Sequence, residues 1–390
     1  MQKRRDMISE REEEIPEEEI GKLLELAVEK KDLISLGPGE PDFLPPKHVI
    51  IATKKALDKG FTHYSPPQGR KELIEAVISK LKGENSIHAN PENIVITTGS
   101  TEAIMISLMS IVDPGQYVLV PDPGFLAYIP TVELMDGFPV SIPLKMENGF
   151  QINPDDIKNL ISEPKKTKAI IVNTPANPTG TVYGRKILEE IADIAVDNDL
   201  LIISDEAYEK FVYKGKHISI GSFNGMENNV LSLYSFSKTY GMAGFRVGYA
   251  AGPEKIIKAM RELKVFSTLC APTMSQIAAV SALKGSQDEI KKHVKEYDRR
   301  RNYIIEKINE IEGFNCLEPE GAFYALAKID FKMPSLKFCN WLIKNAKVVC
   351  VPGSDFGRYG EGFIRFSYAT AYDKIVKGME RIQKALKKFK

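Results

Sequence analysis

Six short runs of aliphatic and β-branched residues recur between residues 94 and 249, and that recurrence constrains the fold more than any other feature. They are Ile94-Val95-Ile96-Thr97, Tyr117-Val118-Leu119-Val120, Ile170-Ile171-Val172, Leu201-Ile202-Ile203, Val230-Leu231-Ser232-Leu233 and Arg246-Val247-Gly248-Tyr249. Stretches of helical character separate several of them, such as Thr101 to Val112 and Lys186 to Asn198. Strands alternating with helices predict an α/β protein with a mostly parallel, doubly wound sheet. From about residue 254 the chain reads as helical, with residues 288–311 as one long helix. A last helix is marked by Ile375, Met379, Ile382, Leu386 and Phe389, which repeat every three to four residues.

In open α/β sheets, ligands bind beyond the carboxyl ends of the strands. Here those ends are followed by Gly99-Ser100-Thr101, by Asn173 through Gly180, by Asp205-Glu206-Ala207-Tyr208 and by Ser235-Phe236-Ser237-Lys238. A glycine and two hydroxyl residues between a strand and a helix suit either a phosphate cradled by free amides or a capped helix start. No GxGxxG and no GxxxxGK is present, so a dinucleotide or P-loop site lacks its fingerprint. Lys238, among small hydroxyls, is either a solvated cation or an amine able to form an imine with a carbonyl. Arg246, eight residues on, offers a planar fork for phosphate oxygens or an ordinary ion pair. Asp205 directly follows a buried run, where a carboxylate is costly unless partnered. Tyr208 lies three residues later and could face the same ligand. No His or Cys is close in sequence to complete a metal set around Asp205, so no metal is expected.

Composition narrows the function. At 390 residues, length alone suggests about two and a half domains. With 53 basic and 52 acidic residues the net charge is +1, which argues against a nucleic-acid binder working by bulk charge. Arg299-Arg300-Arg301 is expected to be a solvated helix face rather than a nucleic-acid patch. The four cysteines show no CxxC spacing and are expected to be buried, inert thiols. Residues 1–14 are densely charged with no apolar core for a signal peptide. The best apolar run, Ala103 to Val112, is too short for a membrane span. A cytoplasmic protein without membrane partners is expected. The run EREEEIPEEE at 10–19 is expected to be a solvated arm leading into a helix that carries Ile20, Leu23, Leu24, Ala27 and Val28. Residues 37–46, rich in Gly and Pro, read as an extended crossing segment.

Taken in order, GEPDF at 39–43, Tyr64 with Pro66 and Gly69, Gly99-Ser100-Thr101, Asn177-Pro178-Thr179-Gly180, Asp205 with Tyr208, Ser235-Phe236-Ser237-Lys238, Arg246 and Arg365 closely resemble one family. It is the pyridoxal-phosphate-dependent aminotransferases of class I/II, fold type I, the aspartate aminotransferase superfamily. The resemblance runs from Leu36 to Phe366. It implies that Lys238 would hold pyridoxal 5′-phosphate through an imine and, once freed, carry a proton between the substrate α-carbon and the cofactor. Asp205 would pair with the pyridine nitrogen. Tyr208 and Asn177 would donate to the phenolic oxygen. Ser100, Thr101, Ser235, Ser237 and Arg246 would hold the phosphate, together with Tyr64 of a neighbouring subunit in a homodimer. Arg365 would bind the substrate α-carboxylate, assisted by Asn177 and the Gly39 amide. The ring stacked on the cofactor would be Phe125, where the family usually has Trp or Tyr; stacking survives and a hydrogen-bonding group is lost.

The resemblance further implies a large cofactor-binding domain at 47–280, and a smaller α+β domain built from 1–46 plus 281–390. The expected activity is ping-pong transfer of an amino group from an amino acid to a 2-oxo acid, with 2-oxoglutarate as acceptor and aspartate or an aromatic amino acid as donor. Alanine and diaminopimelate remain open as donors. The alternative is another enzyme on the same scaffold: a C–S lyase, a decarboxylase or a cyclising lyase. A regulator fused to a DNA reader would need a basic N-terminal domain, and a dead scaffold would have lost Lys238 or Asp205.

Overall fold

Seven strands form the main sheet of the computed structural model, which describes residue 9 and residues 32–388. The acidic run at 10–19, the stripe from Ile20 to Val28 and Phe389 lie outside the described residues. In chain order the strands are β1 (Ile34–Ser35), β2 (Ile94–Thr97), β3 (Tyr117–Asp122), β4 (Phe138–Pro143), β5 (Thr167–Asn173), β6 (Leu201–Asp205), β7 (Val230–Ser235), β8 (Gly248–Ala251), β9 (Phe314–Cys316), β10 (Tyr324–Ile329), β11 (Val348–Val349), β12 (Val351–Pro352) and β13 (Phe363–Ser367). The principal helices are α1 (Lys47–Asp58), α2 (Lys71–Lys80), α3 (Gly99–Ile111), α4 (Tyr128–Leu134), α5 (Arg185–Asp197), α6 (Glu254–Ser267), α7 (Thr273–Lys284), α8 (Asp288–Asn309), α9 (Ser335–Ala346) and α10 (Tyr372–Leu386).

The main sheet runs β2-β8-β7-β6-β5-β3-β4, and all its pairings are parallel except those of β8. Its central strands are apolar on both faces, as a sheet covered on both sides requires. Alternation sorts their side chains into two cores. Leu119, Ile170, Val172 and Ile202 pack with the α5 stripe Leu188, Ile191, Ala192, Ile194 and Ala195. Val118, Val120, Ala169, Ile171, Leu201 and Ile203 pack on the other face with α3 and α6. The doubly wound α/β expectation is thus met, and β2 together with the parallel set β7, β6, β5, β3 and β4 delivers its carboxyl ends to one edge.

A second, antiparallel sheet runs β12-β13-β10-β9, and β1 pairs in parallel with β11. Around it Ile34 and Leu36 share a core with α8, α9 and α10. These strands interrupt what reads as a continuous helical region after residue 254. Three further expectations are corrected. The last strand of the main sheet begins at Gly248, because Arg246 takes a left-handed backbone (φ 52°) after a 3₁₀ turn at Ala243–Phe245. Helix α3 begins at Gly99, two residues earlier than its apolar pattern suggests. Finally, the Arg299–Arg301 triplet is not a solvated face. Arg299 is exposed, but Arg300 is buried against Asp42 and Glu296, and Arg301 against Asp298 and Glu318. Of the cysteines, Cys316, Cys339 and Cys350 are buried, Cys270 is half-buried, and all four are free thiols. Among the described residues no helix is long and apolar enough to cross a membrane.

Candidate active site

At the carboxyl edge of the main sheet lies a cleft lined by Ser100, Thr101, Phe125, Asn173, Asn177, Asp205, Ala207, Tyr208, Ser235, Ser237, Lys238 and Arg246. Ten of the thirteen residues singled out from sequence line it directly. Arg365 and Gly39 stand one contact behind: Arg365 Nη1 donates to Asn177 Oδ1 at 2.9 Å, and the Gly39 carbonyl accepts from Lys238 Nζ. Tyr64 is not among the lining residues of this chain; it stands exposed on the surface.

Each group is placed by local chain geometry. Gly99 opens α3 with φ 81°, where any Cβ would lie 2.8 Å from Arg246 Nη2. In β8, a Cβ on Gly248 would come within 3.0 Å of the Ser100 amide. Both positions must be bare for the β2–α3 turn and Arg246 to approach each other. The first turn of α3 is held from behind: Glu102 accepts from the Thr98 amide, Lys264 Nζ and the Thr268 hydroxyl. Ser235 caps the one-turn helix that carries Lys238, its hydroxyl accepting from the Ser237 amide at 3.2 Å. Lys238 thereby projects into the cleft. Burial, with help from the Arg365 guanidinium, holds its amine down at about 8.

Asp205 ends β6 in register with Asn173 at the end of β5. Its carboxylate accepts from the Tyr128 hydroxyl at 2.7 Å and from the Ala207 amide at 3.1 Å. Burial nevertheless raises its carboxyl above the ordinary value, and the neighbouring Glu206 adds to the rise. Asn173 orders the next loop: its Oδ1 accepts from the Asn177 amide, while its Nδ2 donates to the Asp205 carbonyl. The buried Arg365 guanidinium is spent in part on Asn177 and on the Gly37 carbonyl, to which Nη2 donates at 2.7 Å. Its Nε is buried without a partner. It is flanked by the rings of Tyr324 and Phe356, 4.3 and 4.7 Å from the guanidinium carbon.

Sequence reasoning missed Tyr128 and Tyr324, and placed Asn173 at a strand end without giving it a role. Tyr128 follows Phe125 by three residues, so a helix beginning there could bring both to one ligand; Asn173 ends a parallel strand beside Asp205. Tyr324 has no local signal. Its hydroxyl meets that of Tyr208 at 2.7 Å across 116 residues of chain. Glu206 itself points elsewhere, to His217, Ser219 and Tyr234. With Glu209 and His217 it forms a group of potential metal-ligand atoms, but Lys80 already supplies a cation there, bonded to Glu209.

Comparison with known proteins agrees with this arrangement. The family model for aminotransferase class I and II matches residues 31–382. An aspartate aminotransferase of Pyrococcus abyssi (strain GE5 / Orsay) is 44% identical over 377 residues, covering 95% of this chain and 96% of that protein. Aromatic-amino-acid aminotransferase 2 of Thermococcus litoralis is 44% identical over 388 residues, covering 98% and 99%. The solved structure of Thermus thermophilus aspartate aminotransferase with maleate superposes with a TM-score of 0.93 at 34% identity, covering 98% of this chain and 100% of that one. Family match, identity and fold agree over nearly the full length, and the chain belongs to the class I and II aminotransferases, enzymes that transfer amino groups.

Proposed function

We propose that this aminotransferase moves an amino group between an amino acid and a 2-oxo acid, with pyridoxal 5′-phosphate held in the cleft around Lys238. Residues present in the cleft fit that cofactor. Ser100, Thr101, Ser235, Ser237 and the Arg246 fork form a cradle for a phosphate, at a helix start kept open by Gly99. Phe125 offers an aromatic face. The unpartnered, buried Nε of Arg365 calls for an acceptor, which a substrate carboxylate supplies. When bound, the cofactor supplies a carbonyl that condenses with amines and a ring that withdraws electrons from the substrate α-carbon.

The chain's own residues do the rest. Lys238 is the amine that takes the proton from the α-carbon, and its depressed pKa makes the neutral base available near neutral pH. Asp205, braced by Tyr128 and the Ala207 amide, holds a proton on the ring nitrogen. Tyr208 donates to the phenolic oxygen. Asn177, its Oδ1 engaged by Arg365, has its amide N–H groups left for the same oxygen. Arg365 clamps the α-carboxylate and so orients the α-carbon toward Lys238. We assign Tyr64 to the phosphate of a second subunit, consistent with its exposure here, so that the working unit is a homodimer. The division into a domain of 47–280 and one of 1–46 with 281–390 fits the two sheets and the β1–β11 pairing.

The observation that carries this reading is the convergence of Lys238, Asp205 and Tyr208 on one cleft bordered by Arg365. Donors are proposed to be aspartate or aromatic amino acids, from the relatives, with 2-oxoglutarate as acceptor. The test is a half-reaction. Given an amino acid and no acceptor, the holoenzyme should release one equivalent of 2-oxo acid per subunit and stop. Continuous release of product would identify a lyase instead. A panel of donors against 2-oxoglutarate then ranks the substrates.

A further inference from the structure

Tyr324 has no assigned part in the reaction, yet its side chain touches two groups that do. Its hydroxyl lies 2.7 Å from that of Tyr208, and the two rings meet edge-on with centroids 5.6 Å apart. The Arg365 guanidinium carbon stands 4.3 Å from the Tyr324 ring centroid. Phe323 packs against both tyrosines and fixes them in place. The fourth neighbour is Gly39, where a Cβ would lie 2.2 Å from the Tyr324 hydroxyl oxygen. The bare Gly39 thus leaves room for the phenol, whose hydroxyl any Cβ there would have to displace.

We propose that Tyr324 is a positioning residue that donates its hydroxyl proton to the Tyr208 oxygen and so makes Tyr208 a stronger donor toward the cofactor's phenolic oxygen. This rests on the role proposed above for Tyr208. A phenol has one proton. With the Tyr208 proton committed to the cofactor, its oxygen remains an acceptor, and among the described residues the hydroxyl bonded to it is that of Tyr324. Hydrogen bonds in series polarise one another, so the outer bond strengthens the inner one. The cation over the Tyr324 ring draws electron density from it, which favours donation. Burial raises the Tyr324 phenol against the opposing effects of Arg365 and of the Tyr208 hydroxyl, so the hydroxyl keeps a proton to donate once the Tyr208 proton is committed to the cofactor. Arg365 is also the proposed carboxylate clamp. Tyr324 thus links the substrate-carboxylate site to the cofactor's proton balance by a second route, besides the direct Arg365–Asn177 bond.

Tyr324→Phe keeps the ring over Arg365 and removes only the donor. The charged and titratable groups facing the tyrosine pair are Arg365, Asp205 and Lys238, with Asp355 beyond Arg365, and this change leaves all of them in place. The readout is the apparent pKa of the bound cofactor's visible absorption band in wild type, Tyr324→Phe, Tyr208→Phe and the double variant. A weaker donor disfavours the deprotonated form, so Tyr324→Phe should raise that pKa by about 0.5 to 1, the scale of one hydrogen bond. It should add nothing in the Tyr208→Phe background. A wild-type midpoint in Tyr324→Phe, with Tyr208→Phe shifted, overturns the relay while sparing the role of Tyr208. A full shift that persists without the Tyr208 hydroxyl overturns it too. An unmoved midpoint in Tyr208→Phe overturns both. Should Tyr324→Phe not fold, Tyr324→Leu removes the same donor, alone and with Tyr208→Phe: a rise seen only where the Tyr208 hydroxyl is present supports the relay, and a wild-type midpoint or a rise in both backgrounds overturns it.

Discussion

Lys238 shows how far a residue's chemistry is set by its surroundings. An ordinary lysine is almost wholly protonated at neutral pH, with about one amine in a few thousand free. Burial and Arg365 hold this one at about 8, so roughly a tenth is free at pH 7. Reductive alkylation of the apoenzyme by a small aldehyde should therefore modify Lys238 with a midpoint near pH 8; a midpoint near the ordinary lysine value would show that the cleft does not activate it. Linkage has a definite sign here. The folded pKa lies below the unfolded one, so burial of this amine destabilises the apoprotein most below about pH 8, and the penalty is relieved as pH rises toward 10.5. Lys238→Ala should abolish turnover and borohydride trapping of the cofactor. Asp205→Ala should still bind cofactor but abstract the α-proton far more slowly, measured by single-turnover loss of substrate deuterium.

At the scale of elements, the start of α3 carries the most. In the proposed site its first turn presents free amides to a phosphate, and its capping is done from behind by Glu102, which bonds the Thr98 amide, Lys264 and Thr268. Lys264 is fully buried. Glu102→Ala would leave that ammonium unpaired and should cost about 3–5 kcal/mol, the usual loss on breaking a buried pair. Denaturant unfolding of the apoenzyme measures it. The same turn depends on the left-handed Gly99 and its approach to Arg246. Gly99→Ala should weaken cofactor retention with little effect on folding of the sheet, read by equilibrium dialysis beside a melting curve. The strand-to-helix punctuation at residues 97–101 is plain in sequence. The capping carboxylate's distant partners are not, because Lys264 on α6 and Thr268 just after it lie more than 160 residues away.

At the scale of the molecule, Arg365 and the main sheet belong to different layers. Arg365 sits on β13 of the antiparallel sheet and reaches Asn177 beyond the parallel one. Arg365→Ala should weaken productive substrate binding by about 2–5 kcal/mol in kcat/KM, the usual loss for a buried hydrogen-bonded charge pair; unchanged substrate kinetics would make the residue structural. Because the clamp and the cofactor cradle lie on separate layers, carboxylate binding should draw them together and exclude water. Scattering profiles with and without a substrate analogue test that closure. Local patterns were sufficient for the parallel strands other than the edge strand β4, for α3, α5, α8 and α10, and for the polar residues at the strand ends, since periodicity and turn chemistry are decided within a few residues. The antiparallel placement of β8, the short strands after residue 313 and the burial of Arg300 and Arg301 were not legible, because each depends on a partner far along the chain. Arg300 is neutralised by Asp42 at a separation of 258 residues, and Tyr128 finds Asp205 at 77. The sequence by itself determined which side chains could do chemistry and the element each rides on. Only the tertiary structure decided which of them share a cleft, what holds Asp205 and Tyr208 in place, and how far Lys238 is desolvated, since distances and dielectric arise only when the two sheets pack.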